Sequence, residues 1–131
     1  MRRQPAAIAV LVFAAATVLL AQRPKGYVVQ SGDKGVYLTD VQANTSRQII
    51  AKGSTHAVFS PAGRSIAFLR GSTLYTARND GTAEESLMSS CSAVRGYICW
   101  TERGIFWMEG TTDVVRYDLQ ARQKTVAVHV N

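Results

Sequence analysis

The chain has 131 residues, room for one domain at most, and 47% of them are hydrophobic, as in a globular protein. Fifteen Lys and Arg residues against nine Asp and Glu residues give a net charge of +6, but the basic residues are scattered along the chain. This pattern favours a solvated basic surface and argues against a nucleic-acid partner, for which no binding motif is present.

Residues 1–21 have the layout of an export signal. Arg2 and Arg3 form a positive n-region, and the apolar run Pro5–Ala16 forms the hydrophobic region. The three alanines that end this run offer an A-x-A cleavage pattern, which would leave Thr17 as the new N-terminus. We therefore expect an exported protein.

The competing interpretation of this segment is an uncleaved membrane anchor. The longer apolar run Pro5–Ala21 has 17 residues, which is at the short limit for a bilayer span. With the two arginines on the cytoplasmic side, the rest of the chain would lie outside the inner membrane. Both interpretations predict a periplasmic or outward-facing location, and the membrane is involved only if this segment is retained.

Short β-rich runs bounded by Gly, Pro, Asp and Asn recur from Tyr27 onward, and no segment after residue 26 has helical periodicity. The predicted strands are Tyr27–Gln30, Val36–Val41, Arg47–Ala51, Ala57–Ser60, Ser65–Arg70, Thr73–Arg78, Glu85–Met88, Gly96–Trp100, Gly104–Glu109, Asp113–Leu119 and Lys124–Val130. The sequence thus predicts an all-β domain over residues 22–131 that follows an N-terminal apolar helix.

These strands repeat at a spacing of about 40 residues. Tyr37 aligns with Tyr75 at a separation of 38, and Val115 follows after a further 40. The segment Asp40–Ala43 matches Asp118–Ala121. Each full unit is predicted to be a meander of four antiparallel strands, which can bury its apolar faces only against a neighbouring unit.

The clearest unit contains Phe59–Phe68, followed by Leu74-Tyr75 and Asn79-Asp80-Gly81. It resembles the W-S-P-D-G-x-x-I-A-F…I-Y…D-G pattern of TolB-like, WD40-like (PD40) β-propeller repeats, although Ala62 stands where that family usually has Asp. The resemblance covers roughly residues 27–130 and implies a partial propeller of about three blades. It identifies five structural residues in the turns of the repeat: Ser60, Pro61, Gly63, Asp80 and Gly81.

The first and third units depart from this pattern. In the third, Tyr97–Trp100 takes the place of Ala57–Ser60, and Thr101–Gly104 replaces the Pro-Gly turn. The first has three strands from Tyr27 onward, and after cleavage Thr17–Ala21 would supply its innermost strand. Because closed propellers have about four to eight blades, three hypotheses remain: a homo-oligomer that closes the ring, a piece of a longer propeller, and an open three-sheet structure.

The two cysteines of the chain are Cys91 and Cys99. In an oxidising compartment such a pair suggests one disulfide, and the alternative is two free thiols with Cys99 buried in a strand. Their spacing does not form a metal-binding knuckle, and His56 and His129 are the only imidazoles. No metal or other cofactor is therefore predicted.

The sequence contains no catalytic motif, such as a G-x-S-x-G elbow. His56 is expected at the start of the innermost strand of the middle unit, where a structural or rim role is typical. Phe106 and Trp107 should face opposite sides of one sheet, and the aromatic side chains near them pack in a core or anchor a partner. The candidate partner contacts are His56, Trp100 and Trp107.

The resemblance implies a non-enzymatic propeller module that binds a protein or peptide partner in the periplasm or at the outer face of the membrane. The alternative is the propeller part of a prolyl-oligopeptidase-type peptidase. Such an enzyme carries its Ser, Asp and His on a separate α/β-hydrolase domain, so this chain alone should not hydrolyse peptides.

Overall fold

The computed structural model describes residues 26–51, 53–89, 91 and 94–130. The export signal or anchor predicted over residues 1–21, including the strand expected at Thr17–Ala21, lies outside the described residues. In the part that is described, every regular element is a β-strand. None of these residues belongs to a helix of the length and apolarity needed to cross a membrane.

All eleven predicted strands are present, and their ends differ from the predicted ends by at most three residues. The strands are β1 (Tyr27–Gly32), β2 (Gly35–Asp40), β3 (Thr45–Ile50), β4 (Ser54–Phe59), β5 (Ser65–Arg70), β6 (Thr73–Arg78), β7 (Glu85–Met88), β8 (Val94–Thr101), β9 (Gly104–Glu109), β10 (Asp113–Asp118) and β11 (Gln123–His129). They form three antiparallel meanders: sheet 1 (β1–β3), sheet 2 (β4–β7) and sheet 3 (β8–β11). The predicted all-β class and the strand count of three, four and four are confirmed for the described residues.

Sheet 2 lies between the other two sheets and is buried on both faces. Four consecutive residues of β5, Ile66 to Leu69, are buried. Ile66 and Phe68 belong to the core shared with sheet 1, whereas Ala67 and Leu69 belong to the core shared with sheet 3. Since successive side chains of a strand point to opposite faces, a neighbouring sheet must cover each face of sheet 2.

The two cores differ in size. The core between sheets 1 and 2 is built from Val36, Ile50, Ile66, Phe68 and Ala77. The core between sheets 2 and 3 is built from Ala67, Leu69, Leu74, Cys91, Ile98, Ile105, Trp107, Val115 and Tyr117. Both cores are formed where sheets pack face to face, so neither of the outer sheets could bury its apolar residues alone.

The structure repeats one turn at matching positions of sheets 1 and 3. The Oδ1 atom of Asp40 accepts hydrogen bonds from the backbone N–H groups two and three residues further on, and Asp118 does the same in sheet 3. Each turn ends on a residue with a φ of 53°, Asn44 in one and Arg122 in the other. The hairpin β2–β3 therefore corresponds to β10–β11, and sheet 1 contains the second, third and fourth strands of the repeat.

The register of the third unit differs from the sequence alignment by one residue. Trp100 pairs with Ile105 as Phe59 pairs with Ile66, so Trp100 corresponds to Phe59 and not to Ser60. Both β4 and β8 contain a bulge, and the bulge in β8 adds more residues than the bulge in β4. Bulge residues are not opposed one to one, and for this reason a gap-free alignment of the two strands is wrong here.

The turn between β6 and β7 sits directly against sheet 1. Gly81 has a φ of +86°, and a Cβ atom on it would lie 2.0 Å from the carbonyl oxygen of Ile49. The Gly81 N–H donates to the Arg78 carbonyl at 2.9 Å, and this bond closes the turn. Glycine is therefore required at this position both for its backbone conformation and for the close approach of the two sheets.

We predict that Gly81→Ala destabilises the protein clearly more than Gly71→Ala. Gly71 also has a positive φ, +61°, but a Cβ there meets nothing within 4 Å. Gly71→Ala should therefore lower the free energy of unfolding only by the cost of the strained backbone, about 1 to 2 kcal/mol. Gly81→Ala should lower it further, because the new Cβ atom must also displace sheet 1. Urea unfolding followed by circular dichroism measures both losses, and equal losses would contradict the close contact.

Candidate binding groove

A groove of about 720 Å³ lies between β1, β4 and β8. Its walls are Val29, Gln30 and Ser31 of β1, Thr55–Val58 of β4 and Ile98 of β8. None of these described wall residues is Asp, Glu, Lys or Arg. The mixture of apolar and uncharged polar side chains suits a ligand that offers both apolar groups and neutral hydrogen-bonding groups.

Unpaired strand edges run along this groove. β1, β4 and β8 are each the end strand of their sheets, so within the described part of the chain one long side of each has no strand partner. β1 corresponds to β5 and β9, which are the second strands of sheets 2 and 3. The groove therefore lies along the edge of β1 that corresponds to the edges of β5 and β9 paired with the first strands β4 and β8. Such an edge presents backbone N–H and C=O groups that can pair with an added strand.

His56 lines the groove at the bulge of β4. The register of β4 against β5 shifts between Thr55 and Val58, and His56 within this shift has a φ of 58°. Its Nδ1 atom lies 2.8 Å from the Thr55 hydroxyl, and the side chain is half-buried. A left-handed backbone is uncommon for a residue other than glycine, so the bulge sets the position of the imidazole at the groove wall.

The two candidate tryptophans differ in accessibility. Trp107 is 2% exposed in the core between sheets 2 and 3, where sheet 2 covers its side chain. Its indole N–H has no hydrogen-bond acceptor within the described structure. Trp100 is half-buried and packs against the same core, and it also lines an open cleft beside Pro61 and Leu119. Of the two, only Trp100 can reach a ligand.

The turn that contains Ser60, Pro61 and Gly63 is held by local hydrogen bonds. The Ser60 carbonyl accepts from the Gly63 N–H at 2.9 Å, and the Ser60 hydroxyl accepts from the Ser65 N–H at 3.1 Å. The side-chain amide of Asn79, in the next turn, donates to the Gly63 carbonyl at 2.9 Å. These contacts fix the two turns to each other, which is a structural role.

Asp80 also acts within its own turn. Its Oδ1 atom accepts hydrogen bonds from the Thr82 hydroxyl at 2.6 Å and from the Thr82 N–H at 2.9 Å. These two bonds, the hydroxyl one first, lower the pKa of the Asp80 carboxyl. The carboxylate is already used by the turn, so we assign it no ligand.

A charged cluster at the end of β5 is also structural. The Arg70 guanidinium makes two hydrogen bonds to Glu84, at 2.9 and 3.0 Å, and lies 4.9 Å from the centre of the Tyr75 ring. The hydrogen bonds from Arg70 lower the pKa of Glu84. Among the described residues, no three His, Cys, Asp or Glu side chains are grouped closely enough to bind a metal ion.

Both cysteines are free thiols in the structure, so the disulfide considered from the sequence is not formed. Cys91 is buried in the core between sheets 2 and 3, and its N–H donates to the Ser72 carbonyl at 2.8 Å. Burial first, and then the charge of Glu109, raise the pKa of Cys91 to about 11. Cys99 is exposed on sheet 3, not buried as the free-thiol alternative supposed.

No protein-family model matches the chain, and no curated protein has a sequence that matches it. The groove was not predicted from the sequence, although His56 was singled out. Gln30, Ser31 and Thr55 belong to no motif, and the signal that could have located them is the alignment of β1 with the second strand of the other units.

We predict that a thiol reagent labels one cysteine of the native protein and two of the unfolded protein. At pH 8 the raised pKa leaves almost no thiolate on Cys91, whereas Cys99 is accessible, and the thiolate is the reactive form. Titration with Ellman's reagent, without prior reduction, counts the reactive thiols of the native protein and of the unfolded protein. Cys99→Ser should abolish native labelling, and absence of labelling in denaturant until a reductant is added would instead reveal a disulfide.

Proposed function

We propose that this chain is an exported, non-enzymatic β-propeller module of about three blades, whose groove binds an extended segment of a protein or peptide partner. The observation that carries the proposal is the groove bordered by edges of β1, β4 and β8 that have no strand partner among the described residues. An extended segment would pair with one of these edges and place alternate side chains against Val29, Val58 and Ile98.

The propeller part of the proposal is supported by the three consecutive meanders and their face-to-face packing. The matching turns at Asp40 and Asp118 support the interpretation of sheets 1 and 3 as copies of one repeated unit. The turn at Ser60–Gly63 carries the sequence on which the TolB-like resemblance depends. Propeller blades of this kind bring their first strands together, and the groove lies where β4 and β8 approach β1.

The binding mode follows from the chemistry of the groove wall. Uncharged walls do not select strongly charged ligands, and backbone pairing is indifferent to the side chains of the ligand. Each backbone hydrogen bond contributes about 0.5 to 1.5 kcal/mol net, and the loss of translational freedom on association offsets a large part of their sum. We therefore expect affinities in the micromolar range, with His56 and Thr55 contributing selectivity at the bulge.

We predict that Ser31→Trp weakens peptide binding by about tenfold or more, which corresponds to about 1.4 kcal/mol. Ser31 is an exposed wall residue of the groove, and an indole there would occupy the space of the ligand. The probe is a fluorescein-labelled dodecapeptide selected on the purified protein from a random phage library, and fluorescence anisotropy gives its dissociation constant.

The matched control for this test is Ser86→Trp, at an exposed serine of β7 that is not part of the groove wall. This variant should bind the selected peptide as tightly as the unchanged protein. Equal affinity of both tryptophan variants would place the binding site elsewhere, and failure to select any peptide would overturn the proposed function.

The proposed export is tested separately with a fusion of bacterial alkaline phosphatase after Asn131. The reporter is active only where its disulfides form, so the unchanged fusion should be active and Leu11→Arg, which interrupts the apolar run, should be nearly inactive. The control Val41→Arg, at an exposed turn residue, should keep full activity. An active Leu11→Arg fusion would contradict the export signal, and N-terminal sequencing distinguishes cleavage before Thr17 from a retained anchor.

A further inference from the structure

Among the described strands, sheets 1 and 3 each have one face that no other sheet covers. On sheet 3, residues directly opposite one another across the strands share this face, which we call the outer face of sheet 3. Its rows are Cys99, Phe106 and Arg116, and Met108, Val114 and Val128. The alternating residues, among them Ile105 and Trp107, point to the other side and are buried against sheet 2.

The repeat identifies what this outer face corresponds to in sheet 2. Ile105 corresponds to Ile66, because Ile105 pairs with Trp100 and Tyr117 as Ile66 pairs with Phe59 and Ala77. Phe106 and Met108 therefore correspond to Ala67 and Leu69, which belong to the core that sheet 2 shares with sheet 3. In sheet 2 the corresponding face packs against the following sheet, sheet 3. The outer face of sheet 3 is thus the face on which a following sheet would pack.

The uncovered face of sheet 1 is the complementary side. This outer face of sheet 1 carries Val28, Gln30, Tyr37 and Thr39, which are paired across β1 and β2. Tyr37 corresponds to Tyr75, and Tyr75 packs into the core that sheet 2 shares with the preceding sheet. The outer face of sheet 1 is therefore the side on which a preceding sheet would pack.

We propose that the outer face of sheet 3 docks on the outer face of sheet 1 of a second copy of this chain. The two faces cannot meet within one molecule, because sheet 2 lies between sheets 1 and 3. Two copies joined in this way make two identical heterologous contacts, which close a six-sheet ring and leave no face uncovered. The contact goes beyond the proposed peptide groove and does not depend on it.

The sizes of the opposed residues support this pairing. Between sheets 1 and 2 the medium-sized Val29 shares a core with Phe68, and between sheets 2 and 3 the small Ala67 shares a core with Trp107. At the proposed contact the corresponding residues are Phe106 and Gln30. At the two observed contacts the larger residue belongs to the following sheet, whereas at the proposed contact it is Phe106 of the preceding sheet. The summed side-chain volume of each pair stays similar, so the packed sheets can keep a spacing of about 10 Å.

The charges of the two faces are compatible with close packing. Arg116 on the outer face of sheet 3 is ion-paired with Asp118 of the same strand at 3.2 Å. The outer face of sheet 1 consists of apolar and uncharged polar residues, and the hydroxyls of Thr39 and Ser46 are 3.0 Å apart. Docking would therefore bring no like charges together, and the ion pair lies within reach of polar partners across the contact.

The first test is the molar mass of the full chain, purified in a mild detergent and measured by light scattering with detergent correction. We expect two copies. Val128→Glu, on the outer face of sheet 3 at 54% exposure, should give single copies, whereas Val126→Glu should not. Val126 is 59% exposed on the same strand, but it pairs with Val115 and so lies on the opposite side of the sheet.

The corresponding pair on sheet 1 is Val28→Glu and Tyr27→Glu, at exposures of 42% and 41%. Val28 belongs to the outer face and Tyr27 alternates to the other side, so only Val28→Glu should give single copies. A mixture of Val28→Glu and Val128→Glu chains keeps one intact face of each kind and should again form a two-copy complex. Circular dichroism of each variant confirms that loss of association is not loss of folding.

Several results would overturn the proposal. A single-copy mass for the unchanged chain would leave the outer faces to another occupant, such as further sheets or an unrelated partner. If Val28→Glu alone still formed two copies, sheet 3 would be packing on sheet 3. Loss of association in both control variants would show that charge anywhere near the edge is sufficient, and a mixture that stays monomeric would exclude the head-to-tail contact.

Discussion

The structure depends on the burial of both faces of sheet 2. Ile66 and Phe68 on one side and Ala67 and Leu69 on the other side carry the cores that connect all three sheets. The buried apolar residues of sheets 1 and 3 pack against sheet 2, so the stability of both outer sheets depends on the apolar surface that sheet 2 offers each of them. Gly81 lies close to Ile49 at the contact between sheets 1 and 2, and Arg70 lies over the ring of Tyr75, which packs against the core of that contact.

The groove is a consequence of the same arrangement. Sheet packing brings β1, β4 and β8 together at one side of the stack, and one hydrogen-bonding edge of each strand has no partner there within the described part of the chain. The bulge at His56 interrupts the regular edge of β4, which limits open-ended pairing with other chains and places a polar ring among apolar neighbours. The site that we propose for an extended segment would thus arise from backbone geometry, with few specialised side chains.

The sequence predicted the strands well because Gly, Pro, Asp and Asn mark almost every turn, and Asp40 and Asp118 form the turns that their matching segments suggested. It predicted burial less well. Trp107 and Phe106 are adjacent and equally apolar, and only the presence of sheet 2 on one side decides which of them is buried. The register of Trp100 and the exposure of Cys99 depend on the bulge in β8, which a spacing argument cannot count. The groove residues of β1 carry no motif, and the backbone pairing that we propose for this edge would need none.

The meander order of every sheet has a consequence for how the chain folds. Each strand pairs with its neighbour along the chain, so hairpin formation requires only short loops to close, with little entropic cost. Contacts between residues that are far apart in the sequence form mainly between folded sheets. The apolar surfaces of these sheets become available one meander at a time as synthesis proceeds from the N-terminus. A nascent chain would thus acquire its structure sequentially, with sheet 2 as the template on which its two neighbours assemble.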